Sequence, residues 1–280
     1  MLGSQVAREL SRRSHQVLSP GRDQADLTRP ILLEKFFREN DFEALINCAG
    51  YTRVDYCEDP SQFPLARAVN GAGVAWLARF CRQRNRFLVH YSTDYVFDGT
   101  KESPYDESDP PHPLNAYGRT KWEGERLMAA ETEDYHLIRS SWLYGPGERK
   151  HFVTSLIESF RTRPKVEVVS DQVGAPTYTP DLAAFTMELL ERKAPPGTYH
   201  FANSGSASWF EFASEIQKQT GLSRCRLVPA LTEVVFRPAA RPPNSRLNLS
   251  KAEGVLGKPI RPWTEALEEY LKKDLGIETN

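Results

Sequence analysis

Phe87-Leu-Val-His-Tyr-Ser-Thr-Asp-Tyr-Val-Phe-Asp98, followed after a proline-rich turn by Tyr117-Gly-Arg-Thr-Lys121, is the stretch from which the fold can be read. Its first part has the β-branched and aromatic content of a buried strand and stops at a polar edge, Ser92-Thr93-Asp94. Lys121 to Ala130 has helix-forming composition, which puts Tyr117 and Lys121 on one helical face, one turn apart. A free phenol has a pKa of about 10 and is a poor acid or base at neutral pH. A nearby ammonium favours the phenolate, so the pairing predicts a lowered Tyr117 pKa and proton exchange with a carbonyl or alcohol. A hydroxyl from Thr93, or from Ser92, can hold the same oxygen from the strand side. Tyr-x-x-x-Lys alone is a weak motif, and its conjunction with the Ser-Thr-Asp strand end gives it weight.

Working outward, strands alternate with helices. The pattern predicts a helix already under way at Met1 with Leu2, Val6 and Leu10 on its apolar side, then a short strand at His15–Leu18 closed by Ser19-Pro20-Gly21. Thr28 is positioned to cap a helix over 30–40 that buries Ile31, Leu32, Phe36 and Phe37. A buried strand over 44–50, a long helix over 63–85 and the strand from Phe87 follow. Such alternation argues an α/β fold, a doubly wound parallel sheet with right-handed crossovers. More than half of the 20 prolines lie from Pro146 onward, where elements shorten. Strands are expected at Val166–Val169, Thr198–Ala202 and Leu227–Pro229, and helices at 152–161, from Pro180 to Arg192, after a Ser208 cap, and over 262–275.

Composition bounds the function. At 280 residues, with 40% hydrophobic and 26% charged residues, the chain has ample core for one large or two modest domains. A net charge of −1 gives no reason to expect nucleic acid or an anionic membrane surface as partner. The cluster Arg79, Arg82, Arg84 and Arg86 reads as the solvated end of a helix. The 4 cysteines have neither metal-type spacing nor a disulfide pattern and fit reduced thiols in a cytoplasm. No apolar run reaches the roughly 20 residues needed to span a bilayer.

Four segments carry a resemblance: Ser92-Thr-Asp-Tyr-Val-Phe-Asp-Gly99, Pro113-Leu-Asn-Ala-Tyr-Gly-Arg-Thr-Lys121, Asp171-Gln-Val-Gly-Ala-Pro-Thr177 and Arg241-Pro-Pro-Asn-Ser-Arg-Leu-Asn248. Together they resemble the dTDP-4-dehydrorhamnose reductase family, extended short-chain dehydrogenase/reductases of nucleotide-sugar metabolism. The resemblance implies a Rossmann-like NAD(P)-binding domain over 1–145 and a mainly substrate-binding part over 146–280, interleaved with the first. It implies reduction of the C4 ketone of a dTDP-keto-sugar with hydride from NADPH or NADH. Tyr117 is then the proton donor, Lys121 its partner and a holder of the nicotinamide ribose, and Thr93 the hydrogen-bond partner of the substrate oxygen.

Gly3, Asp26, Leu27, Cys48, Ala49, Gly50, Tyr51, Thr52 and Ser92 match the family's cofactor contacts, with Arg22 placed for a 2′-phosphate and Asn70 for a helical Asn near the active site. Val54, Asp94, Trp142, Arg241, Asn244 and Arg246 match its substrate contacts. Some members bind Mg²⁺ through carboxylates at a dimer contact; Glu9 lies in the corresponding helix, and no metal ligand is assigned. A homodimer is compatible with the resemblance.

Family members begin with a buried strand and a Gly-x-x-Gly-x-x-Gly turn, of which only Gly3 has a match. The expectation is a coding start placed too late at Met1. A related ketoreductase or epimerase, and a non-catalytic subunit like the regulatory β subunit of methionine adenosyltransferase, are the alternatives.

Overall fold

Apolar strands that cannot leave backbone groups unpaired in a core must find neighbours, and here they find them in sequence-distant partners. The computed structural model describes residues 1–148 and 150–278. In the first half, helices α1 (Leu2–Arg12) and α2 (Pro30–Glu39) precede strand β1 (Ala44–Asn47). Helix α3 (Phe63–Arg67) runs through a π turn (Ala68–Ala72) into α4 (Gly73–Gln83), so the single helix expected over 63–85 carries a wide turn in its middle. Strand β2 (Phe87–Thr93), helix α5 (Ala116–Glu131) and strands β3 (Tyr135–Ser140) and β4 (Leu143–Tyr144) follow.

In the second half come α6 (Phe152–Thr162), β5 (Lys165–Val169), β6 (Val173–Gly174), β7 (Thr177–Tyr178), α7 (Thr179–Glu191), β8 (Gly197–His200) and β9 (Ala207–Ser208). Helix α8 (Trp209–Thr220), β10 (Arg226–Ala230), α9 (Ser250–Leu256) and α10 (Trp263–Glu269) complete the order. The Ser208 hydroxyl accepts from Glu211 N–H at 3.1 Å while Glu211 accepts from Ser208 N–H at 2.6 Å, the reciprocal cap expected there.

The main sheet is parallel and four-stranded, in the order β1-β2-β3-β8. One face is covered by Leu27, by Leu33 and Phe37 of α2, Val74 and Leu77 of α4 and Met128 of α5. The other is covered by Leu2 and Val6 of α1 and Leu182, Phe185 and Leu189 of α7. Arg13 fastens α1 to α7 by donating to Glu188 at 3.0 Å and to Glu191. A second core lies among α6, α8, α10 and β5, around Phe160, Tyr178, Phe212 and Tyr270. Since β8 and α7 join the first core, the chain crosses to the second core and back.

Four local expectations fail. His15–Leu18 is extended but pairs with no strand among the described residues, because a strand needs a ladder as well as β-branched content. Thr28 caps nothing: its N–H and hydroxyl both donate to Asp26, at 2.8 and 2.7 Å, and α2 starts at Pro30 without a side-chain cap. The buried face of α2 is Leu33 and Phe37, one turn apart, while Ile31 is 80% exposed. Strand β1 also ends at Asn47 rather than Gly50 and is only half-buried over Ala44–Ile46, as an edge strand is.

Helix α5 approaches the π turn more closely than most side chains allow. A Cβ on Gly124 would lie 2.0 Å from the Asn70 carbonyl oxygen. Gly124→Ala is therefore expected to destabilise the fold by about 1–3 kcal/mol through overpacking, read as a lower urea midpoint at unchanged m-value.

Candidate active site

Strand β2 delivers Ser92, Thr93 and Asp94 at its C-terminal end, and α5 delivers Tyr117 and Lys121 in its first turns. The helix is positioned by Asn115, whose side-chain oxygen accepts from Gly118 N–H at 2.7 Å and whose amide donates to Ala240 O at 2.7 Å. Tyr117 is buried, with Thr93 among the groups that act on its hydroxyl, and its ring meets Tyr95 edge-on at 6.2 Å. Val54 packs in the same small cluster. Tyr117 thus faces the end of β2 at Thr93, and Lys121, one turn further along α5, reaches the same strand at His90 and Tyr91.

The expected electrostatics are reversed. Burial pushes the Tyr117 phenol above its ordinary range, with the Thr93 hydrogen bond offsetting part of the rise. Lys121 does not pull it down, because its ammonium is itself disfavoured: burial brings Lys121 to about 8, against a smaller opposing pull from Glu125. Lys121 Nζ donates instead to the Tyr91 carbonyl at 2.6 Å and lies 3.2 Å from His90 Nε2. A phenol that keeps its proton at neutral pH is suited to donating it.

Asn70 orders the stretch 48–52. Its Oδ1 accepts from Tyr51 N–H at 2.9 Å, and its Nδ2 donates to Tyr51 O and to the Thr120 hydroxyl, each at 3.0 Å. Ala49, Gly50 and Thr52 are left exposed beyond β1. Gly3 packs beneath them, where a Cβ would sit 3.2 Å from the Cys48 Cβ, and burial raises the Cys48 thiol to about 12, so it is inert. Asp26 accepts from Thr28 and from Arg22 Nε at 2.9 Å, and Leu27 is in the core.

The segments at 171–177 and 241–248 meet backbone to backbone: Val173 N–H donates to Pro243 O and Ser245 N–H to Val173 O, each at 2.8 Å. Arg241 is clamped by Asp55 through two hydrogen bonds of 2.6 and 2.8 Å. Asn244 Nδ2 donates to Lys101 O at 2.5 Å, and its Oδ1 accepts from Arg246 Nε at 2.9 Å. Neither Asn244 nor Arg246 bonds to Thr93, Tyr117 or Lys121. Trp142 has a left-handed backbone, φ 47°, and its indole stacks on Trp209 at 3.6 Å and 12°.

Sequence reasoning missed Asp55, Trp209, Asn47 and His90. The last two had a signal, as polar residues in otherwise apolar strands. Asp55 and Trp209 had none, because their partners are remote in the chain.

Two buried atoms at the strand end, Ser92 Oγ and Asp94 Oδ2, have no hydrogen-bond partner among the described residues. Orphaned buried polar atoms beside an exposed backbone stretch and a buried Tyr/Lys pair fit a nicotinamide dinucleotide and a keto-sugar. Glu9 is engaged by Arg12 and Arg13, whose guanidinium groups hold its carboxyl at about 2.

A parallel Rossmann-like sheet with Thr, Tyr and Lys at one strand end defines an NAD(P)-dependent oxidoreductase of the short-chain dehydrogenase/reductase class. The family model described as the RmlD substrate binding domain matches residues 1–275, and the chain belongs to that family. A dTDP-4-dehydrorhamnose reductase of Mycolicibacterium smegmatis is 34% identical over 281 residues, covering 100% of this chain and 85% of that protein. The solved structure of a dTDP-4-dehydrorhamnose reductase from Clostridium acetobutylicum is similar at TM-score 0.91 and 37% identity, over 97% of this chain and 95% of that one. The Bacillus anthracis dTDP-4-dehydrorhamnose reductase in complex with NADP is similar at 0.89 and 33%, over 96% and 94%.

Asp94 supplies a pH signature. Full burial raises its carboxyl to about 7 from 3.8, with Ser245 and Thr93 offsetting part of the rise. The folded state therefore binds the extra proton, and this contribution to stability is present at acid pH and lost as pH rises through about 7. Urea midpoints should fall between about pH 5 and about pH 8, and Asp94→Asn should flatten that fall.

Proposed function

We propose that this protein reduces the C4 ketone of dTDP-4-dehydro-6-deoxy-L-mannose to dTDP-L-rhamnose with NADPH, as an enzyme of the cytoplasm. The observation that carries the reading is the buried Tyr117, kept protonated beside Thr93 at the end of β2, in a chain with a relative of nearly its own length that bears the reductase name.

NADPH, when bound, supplies the hydride. Ala49–Thr52, ordered by Asn70, and Ser92 would lie along it, Lys121 would hold its ribose, and Arg22 would meet a 2′-phosphate from its exposed loop. Thr93 and Tyr117 would hold the ketone oxygen from two sides, and Tyr117 would pass its proton to that oxygen as charge develops there. A phenol with a raised pKa is loaded with that proton at neutral pH, and the Thr93 hydroxyl shares the charge. Val54, Asp94, Trp142 and Asn244 would line the sugar, and Arg241 and Arg246 would offer guanidinium groups to the diphosphate. Asp55 holds Arg241 with both oxygens, fixing its direction before substrate arrives.

The reading includes a division of labour between 1–145 and 146–280 and a homodimer, which sedimentation would check. Its experiment is NADPH oxidation with a panel of dTDP- and GDP-keto-sugars. Tyr117→Phe is expected to lower kcat by at least roughly 100-fold with circular dichroism unchanged. Near-normal turnover in that variant would overturn the assignment. Capture of a methionine adenosyltransferase catalytic subunit, without turnover of any sugar, would favour the non-catalytic alternative.

A further inference from the structure

Three segments that lie far apart in the chain are joined pairwise by hydrogen bonds beside Tyr117. The first is the helical turn Asp55–Glu58, the second the start of α5 at Asn115 and Ala116, and the third residues 239–241. Glu58 Oε1 accepts from Ala116 N–H at 2.6 Å. Asn115 Nδ2 donates to Ala240 O at 2.7 Å. Asp55 accepts from Ala239 N–H at 3.2 Å and from Arg241, which also donates to Ala239 O at 2.5 Å. The links run from turn to helix, from helix to segment and from segment back to turn, so they close a ring. Val54 and Cys57, at the turn, pack in one apolar cluster with Ala116 and Tyr117.

Glu58 holds the link nearest the phenol. The first N–H groups of a helix have no partner within it, and Ala116 opens α5. The Asn115 side chain serves Gly118 and Ala240, which leaves Ala116 N–H to the Glu58 carboxylate. A carboxylate there also meets the positive end of the helix dipole. Its other oxygen stands 3.8 Å from the exposed Arg119, a surface contact too weak to draw it away. Water admitted by a shorter side chain could satisfy the N–H but could not tether it to the turn. On another side the same helical turn presses on the chain after β2, where a Cβ on Gly118 would lie 2.2 Å from the Tyr95 carbonyl oxygen. Glu58 thus holds the start of α5 in that close seat, and with it the reach of Tyr117 to Thr93.

We infer that Glu58 is a positioning residue for Tyr117, acting through Ala116 N–H, and that with Asp55 it closes a ring tying α5 to the 239–241 segment. When three bodies are joined pairwise, each link is backed by the other two, and cutting one leaves an open chain. Loss of Glu58 is therefore felt at Ala239, which Glu58 does not touch, and loss of Asp55 at Ala116. The consequence for turnover rests on the reductase reading, in which Tyr117 gives the proton and Arg241 meets the diphosphate. Glu58 then acts on the chemical step and Asp55 on sugar binding. The ring itself does not rest on that reading.

The test has two arms, both on the full chain. Without ligand, Glu58→Ala is expected to speed amide hydrogen exchange at Ala116 and at Ala239 by at least about fivefold, the scale of one lost hydrogen bond. Ile138 in β3 should exchange as before. Acceleration at Ala116 alone, or an equal rise at Ile138, overturns the ring. Glu58→Gln keeps an accepting oxygen in place and should restore both rates. In turnover, Glu58→Ala is expected to lower kcat at least about tenfold with both KM values within about twofold, since misplacing a reacting group by about 1 Å can cost about 100-fold. Glu58→Gln should bring kcat back. An unchanged kcat, or a loss that falls on KM instead, overturns the positioning role. If Glu58→Ala does not fold, Asp55→Ala opens the ring from the other side, and exchange at Ala116 decides. A chain with the expected exchange pattern that turns over no keto-sugar leaves the ring standing and removes the reductase reading, the positioning role with it.

Discussion

The close seat of α5 on the π turn at Ala68–Ala72 is the constraint from which the site follows. Gly124 lets the two backbones approach, and the approach puts Thr120 within reach of Asn70. Asn70 then spends its remaining donor and its acceptor on both backbone groups of Tyr51. One contact therefore couples the helix that carries Tyr117 and Lys121 to the stretch that leaves β1. A side chain at 124 would separate them before it touched either. The wide turn has a use here, since it directs the Asn70 side chain across to Tyr51 while α3 and α4 continue as one helix.

Burial governs the chemistry that this seat assembles. The placement of Tyr117 and Lys121 one turn apart on one helix was legible, and so was the polar end of the strand at Thr93, because helix geometry and the end of an apolar strand are local properties. The sign of the Tyr117 shift was not. A nearby cation lowers a phenol only if the cation is charged and aimed at it, and Lys121 is aimed at the Tyr91 carbonyl in a place that disfavours its charge. Burial of both partners depends on how helices cover the sheet, which no four-residue motif encodes.

The same division runs through the fold. The Ser208 cap, the helix beginning near Pro180 and the strand from Phe87 were readable because each is decided within a few residues. His15–Leu18 has strand-like composition without a strand's partner, and Ile31 is as apolar as Leu33 yet points away from Phe37 and the α4 face. Arg241 was legible as a guanidinium in a polar, Pro-rich segment, but its clamp, Asp55, lies 186 residues away in sequence. Trp142 was likewise legible without Trp209, whose face holds the indole while the backbone sits at φ 47°.

These remote partners share a function. Asp55, Trp209 and the Asn47–His90 pair each fix a side chain that sequence alone marks as chemical, and each does so from a different element: the turn after Val54, the start of α8, and two neighbouring strands. Side chains fixed in advance need less ordering when a ligand arrives, and polar contacts of this kind cost fold stability wherever a buried atom is left unpaired. The cost is visible at Ser92 Oγ and Asp94 Oδ2, buried atoms without a hydrogen-bond partner among the described residues. A site built this way trades local stability for readiness, and the trade is confined to two atoms at the end of β2 while the groups around them are paired.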